Sequence, residues 1–268
     1  MYETLRVERT RPGIATVTLS RPDRLNALSW EMVSELDAAL AEIGRDRDVR
    51  VVILTGEGRG FCAGIDIKQP DAVGSGDGDP IAVYHRQEAV AGLATRLRAL
   101  PQPVVAAVNG AAAGGGLALA LAADVRVCTT AARFNVAFVK IGLSGCDIGV
   151  SYLLPRIVGF GIASELMLTG RMVEADEAAR IGLVNRVVEP DELLAAANEL
   201  ADGIAANSPF GVWMTKQVLG RNVDAGSLDA AIELENRTQV LATRTDDMKE
   251  ALAAFVEKRP ASFGRSDD

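Results

Sequence analysis

Residues 104–129 read VVAAVNGAAAGGGLALALAADVRVCT. The opening run, 104–108, has the pattern of a short, fully buried strand. Asn109 and the small residues up to Gly116 then make a turn, and 117–123 read as a short buried helix. Residues 125–129 return as a strand. Asn109, the glycine triplet and Asp124 interrupt the apolar run, which fits strand, turn and helix better than a membrane span. The pattern places an α/β layer at the centre of the chain.

The same alternation extends in both directions. Residues 5–9 and 14–19, separated by Arg11-Pro12-Gly13, read as a hairpin. Ser29 is placed to cap a helix whose apolar face holds Met32, Val33, Leu36, Ala39, Leu40 and Ile43. Residues 49–54 read as a buried strand and 81–100 as a helix ended by Pro101 and Pro103. Between them, 70–80 (PDAVGSGDGDP) has the composition of a mobile surface loop. Helices are expected over 157–169, 175–181 and 191–206, with 183–188 extended. Beyond Asn207-Ser208-Pro209 only helical segments follow, the last opened by a capping box of Asp247 and Glu250. The expected organisation is an α/β core over 1–206 and a helical region over 207–268.

Composition narrows the function. Of 268 residues 49% are hydrophobic, and 28 Lys and Arg face 36 Asp and Glu, a net charge of −8. Such a chain repels phosphate backbones and anionic membrane surfaces, and no basic run offsets this. Neither nucleic acid nor membrane is expected as a partner. Cys62, Cys128 and Cys146 form no CxxC pair, and the charged segment 1–11 lacks the apolar core of a signal peptide. A reducing cytoplasm is the expected home. A single histidine, His85, excludes a multi-histidine metal site, and no metal is expected.

Two glycine-containing segments follow strands: FCAGIDIK at 61–68 and NGAAAGGGL at 109–117. Both read as strand, turn of small residues and helix start. Free N–H groups at a helix start point outward with the positive end of the dipole. Two such donors converging would make an oxyanion hole. Alternatively, the glycines only permit tight packing of helix on sheet.

These segments, with LSRPDRLNALSWEM, LPRIVG, LTGRMVEADEAARIGLVNRVV and DDMKEALAAFVEKRPASF, make the chain resemble the crotonase superfamily, the enoyl-CoA hydratase/isomerase family. The resemblance spans essentially the whole length. It implies a spiral of repeated ββα units, a C-terminal helical trimerisation region, and a homotrimer or dimer of trimers. It also implies an acyl-CoA thioester as substrate, with no separate cofactor. By that resemblance the backbone N–H groups of Ile65 and Gly115 would hold the thioester oxygen as it becomes an enolate. Arg24, Ala27, Ala63, Asp66, Ile67 and Lys68 fall where the family grips coenzyme A. Phe255 and Lys258 match the segment that closes the nucleotide site, often from a neighbouring subunit. On the residues alone, Arg24 and Lys68 read equally as solvated charges and Phe255 as a core residue of the last helix.

The chain departs from the hydratases at both of their glutamates, whose positions are taken by Ala118 and Phe138. Neither side chain transfers a proton, and a general acid or base contributes about 10²–10⁴-fold to rate. What remains is Asp147, eight residues before Pro155, where the dienoyl-CoA isomerases and 4-chlorobenzoyl-CoA dehalogenase carry an aspartate. The loop before it is one residue longer here. Phe138, Ile141 and Leu143 suggest apolar surroundings, in which a carboxylate becomes a better base. The favoured expectation is a double-bond isomerase with Asp147 as acid and base. The alternatives are a hydrolase or dehalogenase with Asp147 as nucleophile, and a non-catalytic acyl-CoA-binding protein. Asp147 can also be a plain loop carboxylate capping a helix near Ile148. His85, Cys62 and Cys146 are weaker candidates.

Overall fold

The computed structural model describes residues 2–69 and 79–263. Most of the loop expected at 70–80 therefore lies outside the described residues. The chain opens with the expected hairpin, β1 (Leu5–Arg11) and β2 (Ile14–Leu19). Helix α1 (Trp30–Arg45) follows, capped by Ser29, whose side chain accepts from the Met32 N–H. Its six buried residues are those expected from the helical period.

Three strand pairs then repeat one design. The first is β3 (Val51–Gly56) and β4 (Gly60–Cys62), followed by α2 (Pro80–Ala99). The second is β5 (Val104–Val108) and β6 (Ala111–Ala113), followed by α3 (Gly115–Ala122). The third is β7 (Val125–Thr129) and β8 (Arg133–Asn135), followed by α4 (Val150–Val158) and α5 (Phe160–Thr169). The first strand of each pair joins a six-stranded sheet of order β1-β2-β3-β5-β7-β10, and the second joins a four-stranded sheet of order β4-β6-β8-β9. Here β9 is Val173–Glu174 and β10 is Arg186–Val188. Each turn of chain thus lays one strand on each sheet, parallel to the last. This is the ββα spiral that the motifs implied.

The main core lies between the sheets and α1 to α5, while α7 (Leu193–Ala205) covers the other face of the larger sheet through Leu193, Ala197 and Ala201. Between β9 and α7, α6 (Ala175–Arg180) makes a short turn. Three helices end the chain: α8 (Pro209–Asn222), α9 (Leu228–Ala242) and α10 (Asp246–Glu257). Neither α8 nor α9 buries a residue fully within this chain.

Five expectations change. The turn expected over 109–116 contains a strand, β6, which pairs with β4 and β8. The helix expected over 157–169 is two helices broken at Gly159, the first beginning at Val150. The helix after the glycine turn starts at Gly115, two residues before the expected point. The segment 61–68 starts no helix: after β4 the chain runs as loop, and the next described helix begins at Pro80. The capping box at Asp247 and Glu250 does not form. Thr245 caps α10 by accepting from the Met248 N–H, Asp247 accepts from the Ser208 hydroxyl and the Phe210 N–H, and Glu250 pairs with Arg259. Long-range partners outcompete the local pairing there.

Candidate active site

The first residues of α3 pack against β4 without any side chain between them. A β-carbon on Gly116 would fall 2.0 Å from the Cys62 carbonyl oxygen, so only glycine allows this approach. The Gly115 N–H opens the helix and has no acceptor within it. Ile65 reaches the same place differently. A parallel bridge joins it to Leu28, whose N–H donates to the Gly64 carbonyl and whose carbonyl accepts from the Asp66 N–H. That register turns the N–H of Ile65 away from Leu28. Among the described residues neither the Ile65 nor the Gly115 N–H has an acceptor.

A cleft of 620 Å³ contains both. Arg24, Ala27, Ala63, Asp66, Ile67 and Lys68 line it, as do Phe138 and Asp147. The Phe138 ring lies 3.4 Å from the point a β-carbon on Gly114 would occupy. Ile141 and Leu143 add further apolar side chains to the lining. Asp66 is buried and paired with Arg21 at 2.9 Å. Burial alone would raise its pKa, but the Arg21 hydrogen bond, the Lys68 N–H and the charges of Arg21 and Arg24 hold it below the usual aspartate range.

Asp147 accepts, through Oδ1, from Gln87 Nε2 at 2.5 Å and from the Ile148 N–H at 2.8 Å. It does not cap the next helix: α4 begins at Val150, and its cap is Gly149 with no side-chain bond. Among the described residues the acids lining the cleft are Asp23, Asp66 and Asp147, and no glutamate lines it. Ala118 is buried inside α3 and is not part of the lining.

Other expected residues lie elsewhere. Phe255 is 83% exposed, not a core residue, and neither it nor Lys258 lines this chain's cleft. His85 is exposed and bonded to Glu88. Cys62 is buried, and burial pushes its thiol up to about 12. Cys146 is exposed and lines the cleft. Gln87, Arg59 and Ser144 also line the cleft, and Arg21 and Asn26 reach it indirectly, Arg21 through Asp66 and Asn26 through Arg21; none of the five was among the expected site residues. Asn26 is fully buried; it accepts from the Arg21 N–H and donates to the Glu57 and Gly60 carbonyls, fixing the loop before α1 to the β3–β4 turn. Its signal was the RPDRLNAL stretch itself. A second cavity of 680 Å³ brings together Arg50, Gln102, Trp213 and Asp247, of which the sequence singled out only Asp247, and that as a helix cap.

A family model described as enoyl-CoA hydratase/isomerase matches residues 9–266. The chain belongs to the enoyl-CoA hydratase/isomerase family. Within it, a probable enoyl-CoA hydratase of Mycobacterium bovis is 44% identical over 96% of this chain and 91% of that protein. The crystal structure of a probable enoyl-CoA hydratase/isomerase from Mycobacterium abscessus shares 43% identity, with a TM-score of 0.89 over 97% of this chain and 98% of that one. A monofunctional enoyl-CoA isomerase from Mycobacterium smegmatis shares 42% identity, with a TM-score of 0.73 over 85% of this chain and 98% of that one. The chain is thus an acyl-CoA enzyme of the crotonase superfamily. No helix among the described residues is long and apolar enough to cross a membrane.

Proposed function

We propose that the protein is an acyl-CoA double-bond isomerase working through a thioester enolate. The observation that carries this reading is the lining of the cleft. Two acceptor-free N–H groups, of Ile65 and Gly115, share it with Asp147, with the apolar side chains of Phe138, Ile141 and Leu143, and with two further aspartates, of which Asp23 is exposed beside Arg24. Asp66 is already paired with Arg21, and no glutamate is present among the described lining residues. The isomerase named among the similar structures supports the same choice.

The thioester oxygen accepts from the Ile65 and Gly115 N–H groups. Asp147 removes a proton from C2 of a 3-enoyl-CoA, and the C2–H electron pair moves into the conjugated dienolate, with negative charge on the oxygen. The carboxylic acid then returns the proton to C4. The double bond has moved from C3–C4 to C2–C3, and nothing else is consumed. Donors fixed before charge develops supply the stabilisation, roughly 3 kcal/mol for each. Arg24, Ala27, Ala63, Asp66, Ile67 and Lys68 hold the coenzyme A portion.

Phe255 and Lys258 complete the nucleotide site from a neighbouring copy, with 207–268 as the helical region that assembles a trimer or a dimer of trimers. The exposure of Leu228, Phe255 and Val256 in these helices supports that role.

The test is mass spectrometry of a 3-enoyl-CoA incubated with the enzyme in deuterated water. The expected product is the 2-enoyl-CoA carrying solvent deuterium. Asp147→Asn is expected to lower turnover at least about 10²-fold with binding nearly intact. Addition of a whole water would reinstate hydration, and isomerisation at the wild-type rate in Asp147→Asn would remove the aspartate from the mechanism.

A further inference from the structure

Asp147 is held through one of its two oxygens. Oδ1 takes both donors, Gln87 Nε2 at 2.5 Å and the Ile148 N–H at 2.8 Å, while among the described residues Oδ2 takes none. Two donors on one oxygen remove the freedom of a carboxylate to turn about its terminal bond.

The Ile148 contact is built into the backbone. Ile148 has φ +46°, a left-handed conformation that is strained for a β-branched residue. Its side chain is buried, with Cδ1 3.3 Å from where a β-carbon on Gly115 would sit. Packing against the start of α3 therefore keeps Ile148 in a conformation that returns its N–H to the carboxylate.

The Gln87 contact comes from a different element. Gln87 lies on α2, is exposed, and lines the same cleft. Among the described residues its side chain makes no other hydrogen bond than the one to Asp147. A glutamine so exposed contributes little to folding.

We infer that Gln87 is a positioning residue: its amide holds Oδ1 so that Oδ2 is presented to the acyl carbons. This rests on the proton-transfer role proposed for Asp147. Proton transfer tolerates little misplacement, and an error of about 1 Å costs up to 10²-fold.

The experiment compares Gln87→Met, Asp147→Asn and the double variant with wild type, using a 3-enoyl-CoA in deuterated water. Gln87→Met is expected to lower kcat about 10-fold with KM and melting temperature unchanged. The double variant is expected to be no slower than Asp147→Asn, because no carboxylate remains to be held. Wild-type kcat in Gln87→Met, or a double variant slower than Asp147→Asn by the full Gln87→Met factor, overturns the inference and leaves the aspartate in place. Wild-type kcat in Asp147→Asn defeats the proton-transfer role and the inference with it. A readout independent of turnover is the crystal structure of Gln87→Met beside that of the wild type. The carboxylate is expected to turn or to occupy two orientations in the variant; one unchanged orientation overturns the inference.

Discussion

A β-carbon on Gly64 would stand 3.3 Å from the backbone nitrogen of Gly115 and 2.9 Å from the Ala113 carbonyl oxygen. Gly64 has φ +94°, so its backbone also favours glycine. The two glycines come from different turns of the spiral, and one leaves open the N–H of the other.

Gly64→Ala is therefore expected to crowd the Gly115 donor. Turnover of a CoA thioester should fall about 10²-fold, the cost of losing one oxyanion donor. The loss should appear in kcat more than in KM. Unchanged kcat in a folded variant would remove Gly115 from the reaction.

Thiol labelling reads the cleft directly. Cys62 and Cys128 are buried, and burial pushes both thiols up to about 12, whereas Cys146 is exposed in the cleft lining. A disulfide reagent is expected to label Cys146 rapidly in the native protein and all three cysteines after unfolding. Saturating acyl-CoA should slow the native reaction. Labelling at the same rate with and without the thioester would place the acyl group elsewhere.

Asp66 gives an acid dependence of known sign. Its carboxyl is held below the usual range in the folded protein, so the native state binds fewer protons than the unfolded chain. The resulting stability is complete above about pH 4 and is lost as pH falls through the native value. Arg21→Met should cost about 1–2 kcal/mol at pH 7. Part of that gap, set by the Arg21 bond to the Ala27 carbonyl, persists in acid. The part due to Asp66 vanishes. Denaturant melts at pH 7 and pH 3 measure both, and a gap that widens in acid would contradict the sign.

Lys216 fastens α8 to the spiral. Its side chain is 6% exposed, with Nζ 2.7 Å from Asp124 Oδ2 and 2.9 Å from the Gln102 carbonyl. Burial pulls its ammonium below the usual lysine value, against the charge of Asp124. Lys216→Met is expected to cost about 1–3 kcal/mol, since it takes from a partly buried carboxylate the closer of its two cations, Arg98 remaining at 3.5 Å. Hydrogen exchange should quicken in α8 before it does in the strands. Equal exchange in wild type and variant would show that the ion pair does not hold the helix.

The sequence by itself determined the six strands of the larger sheet, the Ser29 cap, the buried face of α1 and the glycine turn before α3, but not the two- and three-residue strands of the smaller sheet, which are too short to carry a period. Each feature so determined depends on residues within a turn or two of one another, where periodicity, caps and backbone restrictions act. The same locality carried the motifs that singled out Ile65, Gly115, Arg24, Ala27, Ala63, Asp66, Ile67 and Lys68, and these eight line one cleft, while Phe255 and Lys258 from the last motif do not. Tertiary structure alone decided how Ile65 frees its N–H: the bridge to Leu28 does so, where the sequence suggested a helix start. It also decided that Asp247 serves Ser208 and Phe210, that Phe255 leaves the core, and that Gln87 meets Asp147. Gln87 and Asp147 are 60 residues apart, and no local pattern encodes their meeting. Their contact exists because α2 and α4 both pack against α3, and Ile148 beside Asp147 meets its first residue. Docking is set by the whole packed core, so it becomes visible only once the chain has folded.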